Sequence, residues 1–505
     1  MVTSNSRQFK NIRAWRTESA FGSPRVVAFH TQRLETAVLS EDFWQQWPQS
    51  DVLNTENLTS ELKLLTQWSD ETAPSVAPTS RKHKVTALTV NVTQICNLHC
   101  TYCAAGGDGT FGDPIKKISV TQTIPQLEFF MGQLQPGEEF RLTFLGGEPL
   151  LYPDGLKILG EVAQTLASEG KLQLQIVVVT NGTLLTDSNI ALLKHLKASL
   201  TISLDGPAEI NDQLRPNRSG KGQTSSILEG LRRLLTDREG LGSVGVSGVF
   251  GARNSNLLAA YKFYRDLGVD WFDFTYDHLE IRPEISQQFT SQMQEVARLA
   301  FQTGGEEQLR KMKLFDGYFD ALDRQTPNRN FCGAGKSFLM VDARNNLYPC
   351  PWMVGRKQEQ LGAGTELWPE RTARLAEDLV VLNKCESCWA QNICGGGCMF
   401  IHENKTGNKH LLDENFCQRT RDLIALTILY YEQCRLKGTQ TVNTIPQEVD
   451  HEQTGAKYEN LVSQAGSYSA TDRVLKQHRE QTRRADRPET FNSKSRASES
   501  TYEFN

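Results

Sequence analysis

The eight residues Cys96-Asn97-Leu98-His99-Cys100-Thr101-Tyr102-Cys103 come shortly after the alternating apolar run Ala87-Leu88-Thr89-Val90-Asn91-Val92, which reads as a strand. Three thiolates at these intervals can hold three irons of a [4Fe–4S] cube and leave the fourth iron without a ligand from the chain. A closed structural site takes all its ligands from the protein, whereas an open position lets a metal bind and activate a small molecule. Cys100 and Cys103 also form a Cys-x-x-Cys of the kind used by zinc knuckles and redox dithiols. The string alone leaves both readings standing.

The eleven cysteines are unevenly placed: three at 96–103, seven from Cys332 to Cys417, and Cys434 alone. The stretch at 423–431 is too short and interrupted to span a bilayer, and the first residues lack the apolar segment of a signal peptide. A cytoplasmic location is therefore expected, where thiols stay reduced and clustered cysteines are metal ligands rather than disulfides. A net charge of −4 gives no electrostatic reason for nucleic acid or an acidic membrane as partner.

A chain of 505 residues has room for several domains. Residues 1–84 read as a small α+β module, with strands at 25–30 and 34–39 around a polar turn. Ser40 caps a helix carrying Phe43, Trp44 and Trp47, a second helix covers 60–68, and 73–80 is a Pro/Ser/Thr linker. From 85 to 300, strands expected at 85–92, 141–145, 174–180, 200–204, 244–250 and 271–275 alternate with helices at 126–134, 156–168, 188–196, 225–235 and 257–267. That alternation predicts an α/β fold built on a parallel sheet. Residues 301–436 hold the second cysteine set and end in an amphipathic helix at 416–436, near whose end Cys434 is an unligated thiol. The polar stretch 437–505 cannot bury enough apolar surface to order itself.

In such folds the site lies at the C-terminal ends of the strands. There stand the cysteine loop, Gly146-Gly147-Glu148-Pro149, Thr180-Asn181-Gly182 and Ser203-Leu204-Asp205-Gly206-Pro207, each after its own strand. Taken singly these are turn chemistry. In this order they resemble the radical S-adenosylmethionine (SAM) enzymes. The resemblance implies a partial (β/α)6 TIM-like barrel and a [4Fe–4S] cluster on Cys96, Cys100 and Cys103 whose open iron chelates SAM. It also implies that Tyr102 packs near the adenine and that Gly146, Gly147, Glu148 and Pro149 bond the methionine amino group. Asn181, Ser203 and Asp205 would line the SAM pocket, the last two reaching carboxylate or ribose hydroxyls, and Arg215 would place a positive charge near the SAM carboxylate.

The spacings of Cys385, Cys388, Cys394 and Cys398 resemble the SPASM extension, which binds two auxiliary [4Fe–4S] clusters. Carried over, Cys385, Cys388, Cys394 and Cys417 hold one cluster and Cys332, Cys350 and Cys398 the other, the latter with three protein thiolates. Asn345 stands where the family pattern has glycine, and Asn tolerates the same positive φ. A four-cysteine zinc site is the alternative.

The implied chemistry is reductive cleavage of SAM to a 5′-deoxyadenosyl radical that abstracts hydrogen from a substrate carbon, fed by a flavodoxin- or ferredoxin-type reductant. SPASM enzymes act mostly on peptides or proteins. The sulfatase-activating branch carries an Asp base after the cysteine matching Cys350, where this chain has Pro351. A maturase that crosslinks side chains of a ribosomally made peptide is therefore expected. Sulfatase-maturase-like oxidation of a side chain is the nearest alternative, and a non-catalytic iron–sulfur carrier or zinc protein the distant one. The N-terminal module resembles peptide-binding modules fused to such enzymes and would dock a leader peptide; it equally suits a decoration covering a barrel edge.

Overall fold

Four antiparallel strands, β1 (Ser6–Phe9), β2 (Ile12–Arg16), β3 (Val26–His30) and β4 (Glu35–Leu39), form the N-terminal sheet in that spatial order, followed by helices α1 (Glu41–Gln45) and α2 (Ser60–Asp70). The computed structural model describes residues 6–17, 24–48, 59–71, 84–103 and 115–436. The linker at 73–80 and the polar stretch 437–505 lie outside the described residues. Sequence patterning anticipates β3 and β4 but not β1 and β2, whose arginines and glutamine dilute the apolar signal of Phe9, Ile12, Ala14 and Trp15. Trp47 lies beyond the end of α1 but is buried all the same.

Both faces of this sheet are covered, which is why β3 is buried along its whole length. Val26 and Ala28 pack with Trp44, Trp47, Leu65 and Trp68. Val27 and Phe29 face the other way and join Trp15 in a cluster with Ile393, Ile424 and Ile428 from the C-terminal region. The module thus covers the cysteine-rich layer rather than a barrel edge.

The core alternates as expected: β5 (Ala87–Asn91), α3 (Val120–Met131), β6 (Glu139–Leu145), α4 (Pro153–Gly170), β7 (Gln173–Thr180), α5 (Asp187–His195), β8 (Ser199–Ser203), α6 (Ala208–Leu214), α7 (Thr224–Thr236), β9 (Val244–Phe250), α8 (Leu257–Asp266) and β10 (Trp271–Tyr276). The six strands are parallel in the order β10-β9-β8-β7-β6-β5, the partial (β/α)6 barrel. Leu88, Leu142, Val178, Ile202, Val246 and Phe272 are buried on one face. The opposite face is partly open and more polar, with Thr143, Ser203, Ser247 and Asp273.

Helix α9 (Pro283–Arg310), kinked at Gly305, runs across the boundary expected at 300–301 and leads to α10 (Lys313–Arg324). Strand β11 (Phe338–Val341) then adds to the free edge of β5 as a seventh parallel strand. The antiparallel β12 (Asn346–Tyr348), β13 (Gly362–Ala363) and β14 (Glu366–Leu367) continue the same sheet. The β11–β12 turn needs the left-handed backbone at Asn345 (φ 63°). Helix α3 clamps it there, because Gln126 Nε2 donates to the Asn345 carbonyl (3.2 Å) and Asn345 Nδ2 to Thr123 Oγ1 (2.7 Å). Short helices α11 (Pro369–Thr372), α12 (Leu379–Leu382) and α13 (Gln391–Cys394) carry the chain through the cysteines to α14 (Met399–Thr406) and α15 (Glu414–Leu436).

Trp15 is 1% exposed and meets Trp389 edge to face at 5.2 Å. Truncation to alanine leaves a cavity beside the segment bearing Cys388 and Cys394, so Trp15→Ala should cost about 3–5 kcal/mol. Chemical unfolding measures the loss, and hydrogen exchange should rise in both β2–β3 and 388–394.

Candidate active site

The cysteine loop at the end of β5 is fastened on two sides by backbone hydrogen bonds. Gly147 N donates to Thr93 O (2.7 Å) and Glu148 N to Ile95 O (2.9 Å), while His99 N donates to Pro216 O (2.7 Å) and Thr101 N to Leu214 O (2.9 Å). A Cβ on Gly146 would come within 2.3 Å of Thr93 O, and one on Gly147 within 2.3 Å of Ile95 O. These glycines therefore let the β6 loop lie against the chain just before Cys96.

Glu148 is wholly buried and faces inward. Its Oε1 accepts from Leu150 N (3.0 Å) and Thr180 Oγ1 (2.7 Å), its Oε2 from Asn181 N (2.7 Å). Burial pushes the carboxyl up to about 7, opposed by these three donors. Pro149 begins the short 3₁₀ turn Pro149–Leu151 that follows. Asn181 in turn donates to Asn97 Oδ1 (2.9 Å) and lies 3.7 Å from Cys96 Sγ, and Asn97 Nδ2 reaches Thr183 Oγ1 (2.7 Å). Asn97, inside the cysteine string, is a site residue that spacing arguments pass over.

Asp205 is fully buried. Arg215 donates to it through Nε (2.9 Å) and Nη2 (3.2 Å), Val249 N at 2.9 Å, and Tyr102 through its hydroxyl. With both oxygens occupied by protein donors, the carboxylate does not fit the ribose contact expected of it. It positions Arg215, whose guanidinium lies 5.3 Å from the centre of the Tyr102 ring and close enough to Cys100 to favour its thiolate. Ser203 sits on the inner face in register with Ser247.

Cys96, Cys100 and Cys103 lie within electrostatic range of one another. Burial pushes Cys96 up and Cys100 up to about 12. The later cysteines fall into two groups. Cys332, Cys350 and Cys398 line a single cavity of about 220 Å³ and act on each other electrostatically. Cys385, Cys388, Cys394 and Cys417 are coupled in the same way. Between Cys394 and Cys398, Gly395, Gly396 and Gly397 all have positive φ (77°, 95° and 82°), and Cβ atoms there would strike Phe331 N, Leu379 C and His402 Nε2. Only glycine allows so tight a bend to bring cysteines of both sets together.

The donors fit iron–sulfur clusters. Burial disfavours thiolates, raising Cys350, Cys394 and Cys417 to about 12, so these sulfurs ionise only where a cationic body offsets their charge. The cavity at the trio, about seven waters' worth of volume, suits a larger thiolate-bound body.

A six-stranded parallel half-barrel with a three-cysteine loop after its first strand defines the fold and site of the radical SAM class. Residues 90–247 match the family described as the radical SAM superfamily, a match that implies a [4Fe–4S] cluster and SAM. An uncharacterised protein of Methanocaldococcus jannaschii is 26% identical over 53% of this chain and 85% of its own. The serine-type anaerobic sulfatase-maturating enzyme of Klebsiella aerogenes is 23% identical over 63% and 80%. Among solved structures, anSMEcpe with bound AdoMet superposes with a TM-score of 0.56 at 17% identity, covering 67% of this chain and 91% of that one. No helix among the described residues is long and apolar enough to cross a membrane.

Because burial holds Glu148 near 7 against an ordinary 4.5, the folded chain keeps a proton that the unfolded chain releases between those values. Its contribution to stability is full below about 4.5 and is lost as pH rises through about 7. Glu148→Gln places an amide N–H against Asn181 N–H and should cost about 1–3 kcal/mol. Urea unfolding across this range should show the variant with a flatter pH dependence.

Proposed function

We propose that this enzyme is a maturase of a ribosomally made peptide, abstracting hydrogen from a side chain and most simply joining two side chains. The observation that carries the reading is the sorting of seven C-terminal cysteines into a cavity-lining trio and a coupled tetrad, behind a barrel with three more. Cys96, Cys100 and Cys103 would hold the first cluster, the trio and the tetrad would hold auxiliary clusters, and a flavodoxin- or ferredoxin-type protein would supply electrons. When bound, the first cluster and SAM supply reductive cleavage to a 5′-deoxyadenosyl radical.

The chain's own residues orient and enclose. Arg215, held by Asp205, presents positive charge toward the SAM carboxylate beside Cys100. Tyr102, pinned by its hydroxyl, offers a ring edge to the adenine. Gly146 and Gly147, fixed against Thr93 and Ile95, would bond the amino group, and Asn181 holds the cysteine loop through Asn97. The open polar face with Ser203, Ser247 and Asp273 receives the substrate. The N-terminal sheet, with β1 and β4 at its edges, suits an extended leader added as a further strand.

The relatives support a peptide or protein substrate. Several are named sulfatase-maturating enzymes, and anSMEcpe has been solved with AdoMet and a peptide. Their names also favour a second reading, oxidation of one side chain, against which stands Pro351 at the start of a 3₁₀ turn directly after Cys350.

Anaerobic reconstitution should give roughly twelve irons per chain and release 5′-deoxyadenosine with a strong reductant. Cys100→Ala should abolish that release. Coexpression with small peptides encoded beside the gene, followed by mass measurement, separates the readings. Loss of two hydrogens without a hydrazine-reactive carbonyl marks a crosslink, and a carbonyl marks side-chain oxidation. Zinc with no SAM cleavage would sink the proposal.

A further inference from the structure

The trio Cys332, Cys350 and Cys398 is one thiolate short of a fully ligated cube, and the next nearest cysteines belong to the other set. The cavity these three line is also lined by His278, from the loop directly after β10, the last barrel strand. His278 stacks on Trp352 (4.8 Å between ring centres, 18° between planes), and Trp352 stacks on Phe400 (5.1 Å, 30°). Trp352 lies two residues after Cys350 and Phe400 two after Cys398, so the imidazole is held by the segments that carry two of the three thiols. One ring nitrogen is backed by the Tyr276 carbonyl. With that nitrogen carrying the proton, the other bears the lone pair, the arrangement that metal-ligating histidines adopt. Burial and the neighbouring Arg419 keep the ring neutral.

We infer that His278 is the fourth ligand of the auxiliary cluster held by Cys332, Cys350 and Cys398. The inference rests on the auxiliary-cluster reading above. Exchanging one anionic thiolate for a neutral imidazole leaves the assembly with one negative charge less. Its reduced state is then better stabilised and its potential lies higher than that of an all-cysteine cluster, as replacement of cysteine by histidine does in Rieske centres. Placing the ligand on the loop after β10 also ties this cluster to the mouth of the barrel.

The test uses the reconstituted, reduced full chain, grown with natural-abundance or ¹⁵N-histidine and read by pulsed electron paramagnetic resonance. A histidine nitrogen coupling that changes with the label and disappears in His278→Cys supports the assignment. The same variant should keep its iron while the midpoint potential of one cluster shifts downward. In His278→Ala, added imidazole should restore the coupling. The iron count of Cys332→Ala/Cys350→Ala/Cys398→Ala separates the two ideas. A loss of about four irons with no histidine coupling in the wild type leaves the cluster in place and overturns His278 as its ligand. No loss of iron overturns the auxiliary cluster itself, and this inference with it.

Discussion

Burial of the Asp205 carboxylate beside the Arg215 guanidinium shapes the mouth of the barrel. Taking both ions out of water costs several kcal/mol each, and their attraction offsets this only where the remaining hydrogen-bond positions are filled. Here they are filled from three directions: Val249 N on β9, the Tyr102 hydroxyl on the cysteine loop, and Arg215 just past α6. Asn254 Nδ2 adds a tie by donating to the Asp205 backbone carbonyl (2.9 Å). A carboxylate with this many obligations cannot be moved without leaving a buried charge unpaired. It therefore holds the cysteine loop and the ends of β8 and β9 in one fixed relation, which is what a site that must orient a small ligand requires.

The cysteine-rich region is part of the same rigid body by construction. Its strand β11 extends the barrel sheet, its Asn345 turn is gripped by α3, and α15 packs on α9 and on the N-terminal sheet. Electron transfer and substrate positioning both depend on distances that do not fluctuate, and a shared sheet provides that more directly than a linker would. The N-terminal sheet has a structural part in this whatever it binds. Asn392 Nδ2 donates to the Thr31 carbonyl (3.0 Å), Thr36 bonds Glu432, and Trp15 and Phe29 close over Trp389.

Much of this is legible in the sequence, for local reasons. Six core strands emerge from alternation because one face of each is buried and the other half-open. The two cysteine sets come from the SPASM resemblance, which rests on the short intervals between Cys385, Cys388, Cys394 and Cys398. Less visible are features that arise only when distant segments meet. The inward role of Asp205 depends on Val249 and Tyr102, and the packing role of Gly146 and Gly147 depends on carbonyls some fifty residues earlier. Strand β11 is four residues long and acquires its place from the free edge of β5. Helix α3 begins at Val120 rather than 126, and Pro125 sits inside it.

The charges around the two C-terminal cysteine sets differ. The four-thiolate set has three arginines within electrostatic reach: Arg13 from the N-terminal sheet acts on Cys388, and Arg419 and Arg421 on Cys417. The three-thiolate set has a largely apolar and aromatic wall, and Lys336, which also lines its cavity, bonds the Glu377 carbonyl. A fully thiolate-ligated cluster carries more negative charge and needs more compensation than one whose fourth ligand is neutral. Arg13 thus gives the N-terminal module a chemical reason to sit over the tetrad: it brings a positive charge to buried thiols that the C-terminal helix reaches with Arg419 and Arg421.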